Sequence, residues 1–342
     1  MTTSAIPFAM DATARLEEIH EILDSIIIQG DRFKLVSQAL VRNVKVIGDD
    51  VYVRLFHGSD QAVFVDVVQS ALDNLDWTNR VVVDIRTITG VRRTIAVGSG
   101  KGGVGKTSVT VALASKLKNQ GFRVGILDAD VYGPNVSTVF GVEELSVETV
   151  ETEQGDQFIP PLVDGVKVMS VGMLAEQGQS LAWRGPILTR LLKQFLFDVV
   201  WGDLDFLLID LPPGTGDAQI TLLQECPLAG VFLVGVPGIS SHADLQRTIS
   251  MYGQFKLPIL GYVENFSSVQ CPSCGEVFPF LLDQLPVNDS CSAIMPPKTS
   301  LTVEPELLTN KTRSVKKLLT LDEIHPRAFQ ELSEKCSLVL DG

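Results

Sequence analysis

Two patterns of apolar and polar positions follow one another along the chain. Up to about residue 90, apolar side chains at helical spacing alternate with short strand-like runs, and Gly48 marks a hairpin-like turn between the first two of these runs. The pattern predicts a helix, two strands, a helix and a strand in turn over 13–28, 39–47, 51–57, 61–75 and 80–86. Residues 1–90 are therefore expected to form a small α+β domain.

From Arg93 onward, short apolar runs without polar alternation are separated by helical patterns. Such strands are buried on both faces, so they indicate a mostly parallel sheet covered by helices on each side. The runs lie at 94–99, 124–130, 166–172, 206–210, 230–236 and 259–265. Prolines interrupt the pattern beyond about residue 280, where only 326–340 again looks helical. We expect 91–342 to be one α/β domain with a divergent C-terminal segment.

The charge balance narrows the class of partner. The 342 residues include 28 Lys and Arg against 41 Asp and Glu, a formal net charge of −13, so the basic surface that binds nucleic acid or an anionic membrane is lacking. No apolar run is long enough to span a bilayer, and the N-terminal segment resembles neither a signal peptide nor a transit peptide. The five cysteines all lie at or beyond Cys226 and suggest no disulfide framework. We expect a protein of the reducing cytoplasm.

A glycine-rich loop follows the first predicted strand of the α/β region. It reads Gly100-Lys101-Gly102-Gly103-Val104-Gly105-Lys106-Thr107, with Ser108 next in the helical run. This matches G-x-x-x-x-G-K-[ST], in which backbone N–H groups surround phosphate oxygens at a helix N-terminus. Lys106 supplies a charge for the β- and γ-phosphates, and the Thr107 hydroxyl is placed for Mg²⁺. We predict that the loop and Ser108 bind ATP.

Carboxylates end two further strands. Asp128 and Asp130 follow the strand after the loop, and Asp210 ends the strand 206–210. Carboxylates in these places can hold a magnesium-bound water or orient the attacking water. Asp210 corresponds to a Walker B carboxylate, and the glycine-containing loop after it is expected to sense the γ-phosphate through a backbone N–H.

The second lysine of the loop, Lys101, gives the form K-G-G-V-G-K-T. This form resembles the deviant Walker A class, which includes the MinD and ParA ATPases and nitrogenase iron protein. The resemblance implies that Lys101 reaches across a homodimer to the phosphates of the partner, where it acts in catalysis with Lys106.

Longer strings narrow the resemblance to the Mrp/ApbC family of iron–sulfur cluster carriers over roughly residues 92–280. The strings are Asp128-Ala129-Asp130-Val131-Tyr132-Gly133-Pro134, Trp183-Arg184-Gly185-Pro186, Trp201-Gly202-Asp203-Leu204-Asp205, the loop from Asp210 to Asp217, and Pro258 to Asn265. The family implies that Asn265 binds the adenine edge, that Asp130 acts near the hydrolytic water, and that Gly214 contacts the γ-phosphate. The N-terminal region resembles the MIP18-type domain but lacks its usual cysteine.

The string Cys271-Pro272-Ser273-Cys274-Gly275 adds a metal-binding feature. Two thiolates at this spacing can ligate one metal centre, although structural zinc or a four-iron cluster normally requires four ligands. On spacing alone, half of a zinc ribbon or a redox pair is the better interpretation. The family resemblance instead implies an iron–sulfur cluster shared by the Cys271 and Cys274 pairs of two chains. Cys226 and Cys336 are expected to be buried structural thiols, and Cys291 is unassigned.

Together these features predict a P-loop NTPase of the deviant Walker A type with a small N-terminal α+β domain. The implied function is that of a homodimeric ATPase with Mg²⁺, which carries a 4Fe-4S cluster to apo iron–sulfur proteins without binding nucleic acid or membrane. A MinD/ParA-like positioning or regulatory ATPase with a zinc or redox cysteine pair is the alternative.

Overall fold

A computed structural model of the protein describes residues 12–26, 41–56, 62–131, 133–140, 142, 147–152, 155–173, 185–271, 273–279, 298–303 and 325–341. The strands of these residues form a three-stranded sheet, a nine-stranded sheet and a two-stranded hairpin. The residues predicted to carry chemistry lie on the nine-stranded sheet and its loops.

The three-stranded sheet belongs to the N-terminal region. Its elements are α1 (Ala12–Ser25), β1 (Val41–Ile47), β2 (Asp50–Phe56), α2 (Ala62–Leu72) and β3 (Arg80–Arg86). Strands β1 and β2 form an antiparallel hairpin, as the turn at Gly48 predicts, and β3 runs parallel to β2. Ile19, Leu72 and Val51 are buried in a core of their own. The predicted boundary at residue 90 follows β3, and the independence of the two domains remains a prediction.

The nine-stranded sheet contains the strands that the apolar runs predict. In chain order the further strands are β4 (Val91–Ser99), β5 (Val124–Asp128), β6 (Glu148–Thr152), β7 (Gly155–Ile159), β8 (Leu162–Val163), β9 (Val166–Ser170), β10 (Leu204–Asp210), β11 (Leu228–Gly235), β12 (Ile259–Gln270), β13 (Val277–Pro279) and β14 (Lys298–Val303). Strands β6 and β7 pair with each other. The order across the large sheet is β13-β12-β11-β4-β10-β5-β9-β8, with β14 paired to β12. Its pairs are parallel apart from β12–β13 and β8–β9, which confirms the predicted fold class.

Helices cover both faces of the large sheet. They are α3 (Lys106–Asn119), α4 (Val136–Phe140), α5 (Gly185–Phe197), α6 (Asp217–Glu225), α7 (Ile239–Gln254) and α8 (Pro326–Asp341), with a 3-10 turn at Val171–Met173. One core, around Trp201 and Phe195, fills the space below α5, α6 and α7. The other, around Phe206 and Phe329, lies below α3, α4 and α8. Because the inner strands contribute side chains to both cores, their sequences are continuously apolar.

Strand β14 is a difference from the sequence prediction, which expects only the helix at 326–340 beyond residue 280. The strand reads Lys-Thr-Ser-Leu-Thr-Val, with Leu301 buried in the core. Its mostly polar sequence does not mark it as a strand. It becomes one by pairing along β12.

The topology brings the ends of three central strands together. Strand β10 lies between β4 and β5, and Asp210 is in register with Val97 on one side and with Asp128 on the other. Since parallel strands end at one edge of a sheet, the loop after β4 and the carboxylates after β5 and β10 become neighbours.

Candidate functional site

The loop Gly100–Gly105 connects β4 to α3. Gly103 and Gly105 have φ angles of 77° and 84°, in the left-handed region that glycine enters without a β-carbon clash. Helix α3 begins at Lys106, so the N–H groups of its first turn point back toward the loop. The loop therefore has the conformation and the helix dipole that suit phosphate.

Lys106 is buried at the centre of the site. Its side chain is 6% exposed, and its Nζ lies 2.8 Å from Oδ1 of Asp210 and 3.6 Å from Oδ2 of Asp130. Burial by itself lowers the pKa of Lys106, but the charges of Asp210 and Asp130 outweigh it, and the pKa lies above its ordinary value. The site thus contains a permanent cation.

Asp210 connects Lys106 to two hydroxyl groups. It is fully buried; Thr107 Oγ1 donates to its Oδ2 at 2.7 Å, and Thr110 Oγ1 donates to its Oδ1 at 3.0 Å. Hydroxyl and carboxylate oxygens beside a phosphate loop are the ligands Mg²⁺ prefers, so Thr107 and Asp210 fit the metal expected there. Sequence reasoning missed Thr110, although it lies four residues after Lys106, on the same face of α3.

Gly214 and Asn265, both predicted to contact nucleotide, lie against the phosphate loop. The N–H of Gly214, a residue with φ of 82°, donates to the carbonyl of Ser99 at 2.9 Å. The Nδ2 of Asn265 donates to the carbonyl of Val104 at 2.9 Å. The structure therefore brings both residues to the site, and their contacts with γ-phosphate and adenine stay predictions.

The two cysteines of the CxxC string lie at the tip of the β12–β13 hairpin. The N–H of Cys271 donates to the Glu276 carbonyl at 2.8 Å, and the N–H of Gly275 donates to the Cys271 carbonyl at 2.9 Å. Cys271 is half-buried and Cys274 is exposed. Hydrogen bonds from the N–H groups of Ser273 and Cys274 lower the pKa of the Cys271 thiol, which favours the thiolate form that binds metals.

Among the described residues, the thiol pair is two ligands short of a closed site. In the part of the chain that the structure describes, no group of three or more His, Cys, Asp or Glu side chains could hold a metal ion. Cys291 lies outside the described residues. The predicted sharing of one centre by the cysteine pairs of two chains stays a prediction.

A family model described as the NUBPL iron-transfer P-loop NTPase matches residues 90–321. The chain belongs to this family. The match begins one residue before β4 and covers both the phosphate loop and the cysteine hairpin. The predicted resemblance to iron–sulfur carriers of the P-loop class is thereby confirmed.

Named relatives and a solved structure agree with this NUBPL-family assignment. The chain is 47% identical over 189 residues to an iron–sulfur cluster carrier protein of Aquifex aeolicus, covering 55% of the chain and 51% of that protein. It is 46% identical over 188 residues to a mitochondrial iron–sulfur protein of Arabidopsis thaliana required for NADH dehydrogenase, covering 55% and 59%. The chain spans about half the length of the curated iron–sulfur cluster carrier proteins that it matches. A nucleotide-binding protein of Archaeoglobus fulgidus in complex with ADP superposes with a TM-score of 0.58 at 35% identity, covering 71% of the chain and 93% of that structure.

Asp128 plays a more internal role in this NUBPL-family site than its position suggests. It is fully buried; its Oδ2 accepts from Val136 N–H and from the Ser170 hydroxyl at 3.0 Å each, and its Oδ1 accepts from Asp130 N–H at 3.1 Å. Burial and the neighbouring Asp210 charge raise the pKa of Asp128 to about 7. Both oxygens hold the chain after β5 in place, so its contact with nucleotide stays a prediction.

Lys101 differs from Lys106 in its surroundings. Its side chain is half-exposed, and within the described ranges it forms no ion pair. Its carbonyl accepts a hydrogen bond from the Ser99 hydroxyl at 3.0 Å, which fixes the backbone of the loop at this residue. The predicted cross-dimer role of Lys101 remains a prediction.

The other cysteines of the NUBPL-family chain fall into two groups. Cys226 and Cys336 are fully buried in the two cores of the large sheet, as expected of structural thiols, and burial raises the pKa of Cys336. Cys291, Trp183 and Arg184 lie outside the described residues, whereas Gly185 and Pro186 of the same string begin helix α5. No helix of the described chain is long and apolar enough to cross a membrane.

Proposed function

We propose that this NUBPL-family protein is an ATP-hydrolysing carrier that holds a 4Fe-4S cluster and passes it to apo-proteins. The observation that carries the proposal is that one strand, β12, connects the phosphate loop to the cysteine pair. Strand β12 contains Asn265, which is hydrogen-bonded to the phosphate loop. The strand ends directly before Cys271, which forms an accessible thiol pair with Cys274.

The residues around Lys106 provide the groups that phosphoryl transfer requires. When ATP binds, Lys106 exchanges its contact with Asp210 for the β- and γ-phosphate oxygens, which leaves Asp210 and Thr107 to bind metal. Mg²⁺ held there would neutralise charge on the phosphates. Asp130, at 3.6 Å from Lys106 Nζ, then orients the attacking water, and the Gly214 N–H turns from Ser99 to the γ-phosphate.

The cluster is the cargo of the protein, and two chains hold it. Each chain supplies Cys271 and Cys274, so a homodimer supplies the four thiolates of a four-iron cluster. The half-exposed Lys101 of each chain would enter the site of its partner in the same two-fold arrangement and stabilise charge in the transition state. Accessible thiols at a hairpin tip also allow a recipient protein to replace them as ligands.

Anaerobic reconstitution with iron and sulfide tests the proposal against its alternative. We expect the absorption of a four-iron cluster, matching iron and sulfide contents by metal analysis, transfer of the cluster to an apo-ferredoxin, and slow ATP hydrolysis. A positioning or regulatory ATPase with a zinc or redox pair would instead retain zinc, or keep two free thiols and bind no iron, under the same conditions. That result would overturn the carrier function and leave the nucleotide site intact.

A further inference from the structure

Strand β12 departs from regular pairing with β14 between Glu264 and Ser268, in the stretch that includes Asn265. Glu264 pairs with Ser300 of β14, and the next pair is Ser268 with Thr302. Between these pairs β12 has two more residues than β14, so residues 265–267 form a bulge. Bulges of this kind redirect side chains and are frequent beside functional sites.

The bulge is held on both sides. Asn265 donates to the Val104 carbonyl of the phosphate loop at 2.9 Å, and its Oδ1 accepts the N–H of Phe266 at 3.0 Å. On the opposite side, the Ser267 hydroxyl donates to the Leu301 carbonyl at 2.8 Å. The bulge is therefore fastened to the phosphate loop at one end and to β14 at the other.

Phe266 is strained at the centre of the bulge. Its φ angle is 54°, in the left-handed region that bulky side chains rarely adopt. Its ring lies against the phosphate loop, because a β-carbon placed on Gly105 would come within 3.7 Å of the Phe266 Cζ. Surrounding contacts must hold such a residue, and a change in the loop removes part of that support.

We infer that Phe266 is a positioning residue that couples the nucleotide site to the cysteine pair. Phosphate binding changes the contacts of Val104 and Gly105 with the bulge, Phe266 relaxes toward extended backbone, and the last four residues of β12 reorient Cys271. The inference rests on the proposed function, since it assumes that the cysteines hold cluster. Coupling between two binding sites is reciprocal, so cluster binding must change nucleotide affinity by the same factor.

The test compares Phe266→Gly with Phe278→Gly in the full chain. Glycine adopts a positive φ without strain and lacks the ring, so Phe266→Gly keeps the backbone path and removes the link. Phe278 lies on β13 of the same hairpin, is 47% exposed and serves as the matched control. ADP and a non-hydrolysable ATP analogue are titrated into cluster-free and cluster-loaded protein. We expect about a fivefold or larger difference in nucleotide Kd between the two forms for wild type and control, and nearly none for Phe266→Gly.

Separate outcomes distinguish the two proposals. Wild type that holds no cluster refutes the carrier function, and the coupling falls with it. If wild type holds cluster but binds nucleotide with the same Kd in its cluster-free and cluster-loaded forms, only the coupling is refuted. The coupling is also refuted if Phe266→Gly keeps the wild-type ratio of these two Kd values.

A measurement on the unmodified protein tests the coupling even if Phe266→Gly does not fold. The alkylation rate of Cys271 in cluster-free wild type, followed by peptide mass spectrometry, should change about fivefold or more when saturating ADP or the analogue is added. An unchanged rate with both nucleotides overturns the coupling.

Discussion

Lys106 shows how single residues shape the proposed nucleotide site. A buried ammonium group without partners would be strongly destabilising, and here Asp210 and Asp130 compensate its charge at 2.8 Å and 3.6 Å. The glycine-rich motif predicts the Lys106 cation, and the ends of the apolar strands predict where each carboxylate lies along the chain. Their direct contact depends on the register of β10 with its neighbours, which no local pattern contains.

Lys106→Ala should abolish productive phosphate binding, since it removes the charge that faces the β/γ-oxygens. Lys101→Ala should keep most nucleotide binding but reduce turnover about 100-fold, because its charge is needed in the transition state. Nucleotide titration and phosphate release measure both effects. Lys116→Ala, further along α3, is the matched control and should behave as wild type. Equal ATPase rates for Lys101→Ala and wild type would refute the cross-dimer assignment.

Asp128→Asn should destabilise the protein by about 1–3 kcal/mol, because an amide nitrogen must face one of the three donors that the carboxylate accepts. The wild-type pKa of about 7 lies above the value of about 3.9 in the unfolded chain. The folded state therefore binds the proton more tightly, and this contribution to the free energy of unfolding is lost as pH rises from about 4 to 7.

Urea denaturation of both proteins at several pH values checks this. Wild type should lose stability relative to Asp128→Asn as pH rises from about 4 to 7, and the difference should level off above 7. Ser170→Ala, which removes one donor and leaves the carboxylate, should cost less. A difference that grows with pH would contradict the raised pKa.

At the scale of elements, apolar continuity predicts the central strands well and the outer ones poorly. Strands such as β10 are buried along their whole length, so the pattern alone identifies them. The β6–β7 hairpin has mostly exposed side chains and β14 is mostly polar, so neither leaves an apolar signal. These segments become strands because they pair with other strands. That pairing is not visible in their own local sequence.

The cysteine hairpin gives a prediction at this scale. Replacing Cys271 or Cys274 by serine should abolish the iron–sulfur absorbance of reconstituted protein while nucleotide binding persists, because the thiols lie beyond the end of β12 and outside the phosphate loop. Retained absorbance in the double variant would show that the hairpin is not the cluster site.

The local backbone also predicts thiol reactivity. Because the N–H groups of Ser273 and Cys274 stabilise the Cys271 thiolate, the alkylation rate of Cys271 in cluster-free protein should reach its midpoint at lower pH than in urea-unfolded protein. Peptide mass spectrometry of samples quenched across the pH range gives both midpoints. Equal midpoints would mean that the folded hairpin does not donate these bonds in solution.

At the scale of the whole molecule, two features fit the proposed homodimer. Within the described residues, the half-exposed Lys101 has no ion-pair partner and the thiol pair has no further metal ligands. One two-fold axis could satisfy both. The sequence suggests this arrangement through its resemblance to dimeric families, and the fold of one chain alone cannot supply it.

Native mass spectrometry of reconstituted protein should therefore show a dimer with about four irons, as two shared thiol pairs imply. Chelation of the iron should shift the population toward monomer when no nucleotide is added, since the bridging ligand bonds are lost. A monomer that carries a complete cluster would refute the shared site.

The contact between Lys106 and Asp210 also has a consequence for selectivity. The Asp210 carboxylate lies against the ammonium group that we propose to bind phosphate, so every anion that reaches Lys106 must exchange with a carboxylate. Anions that arrive without a metal cation, such as inorganic phosphate or chloride, gain little from that exchange. A polyphosphate that arrives with its own divalent cation gains much more, because it displaces the carboxylate and gives it a new counter-charge. The association rate should accordingly fall below the diffusional limit, and common cellular anions should be poor competitors for the site.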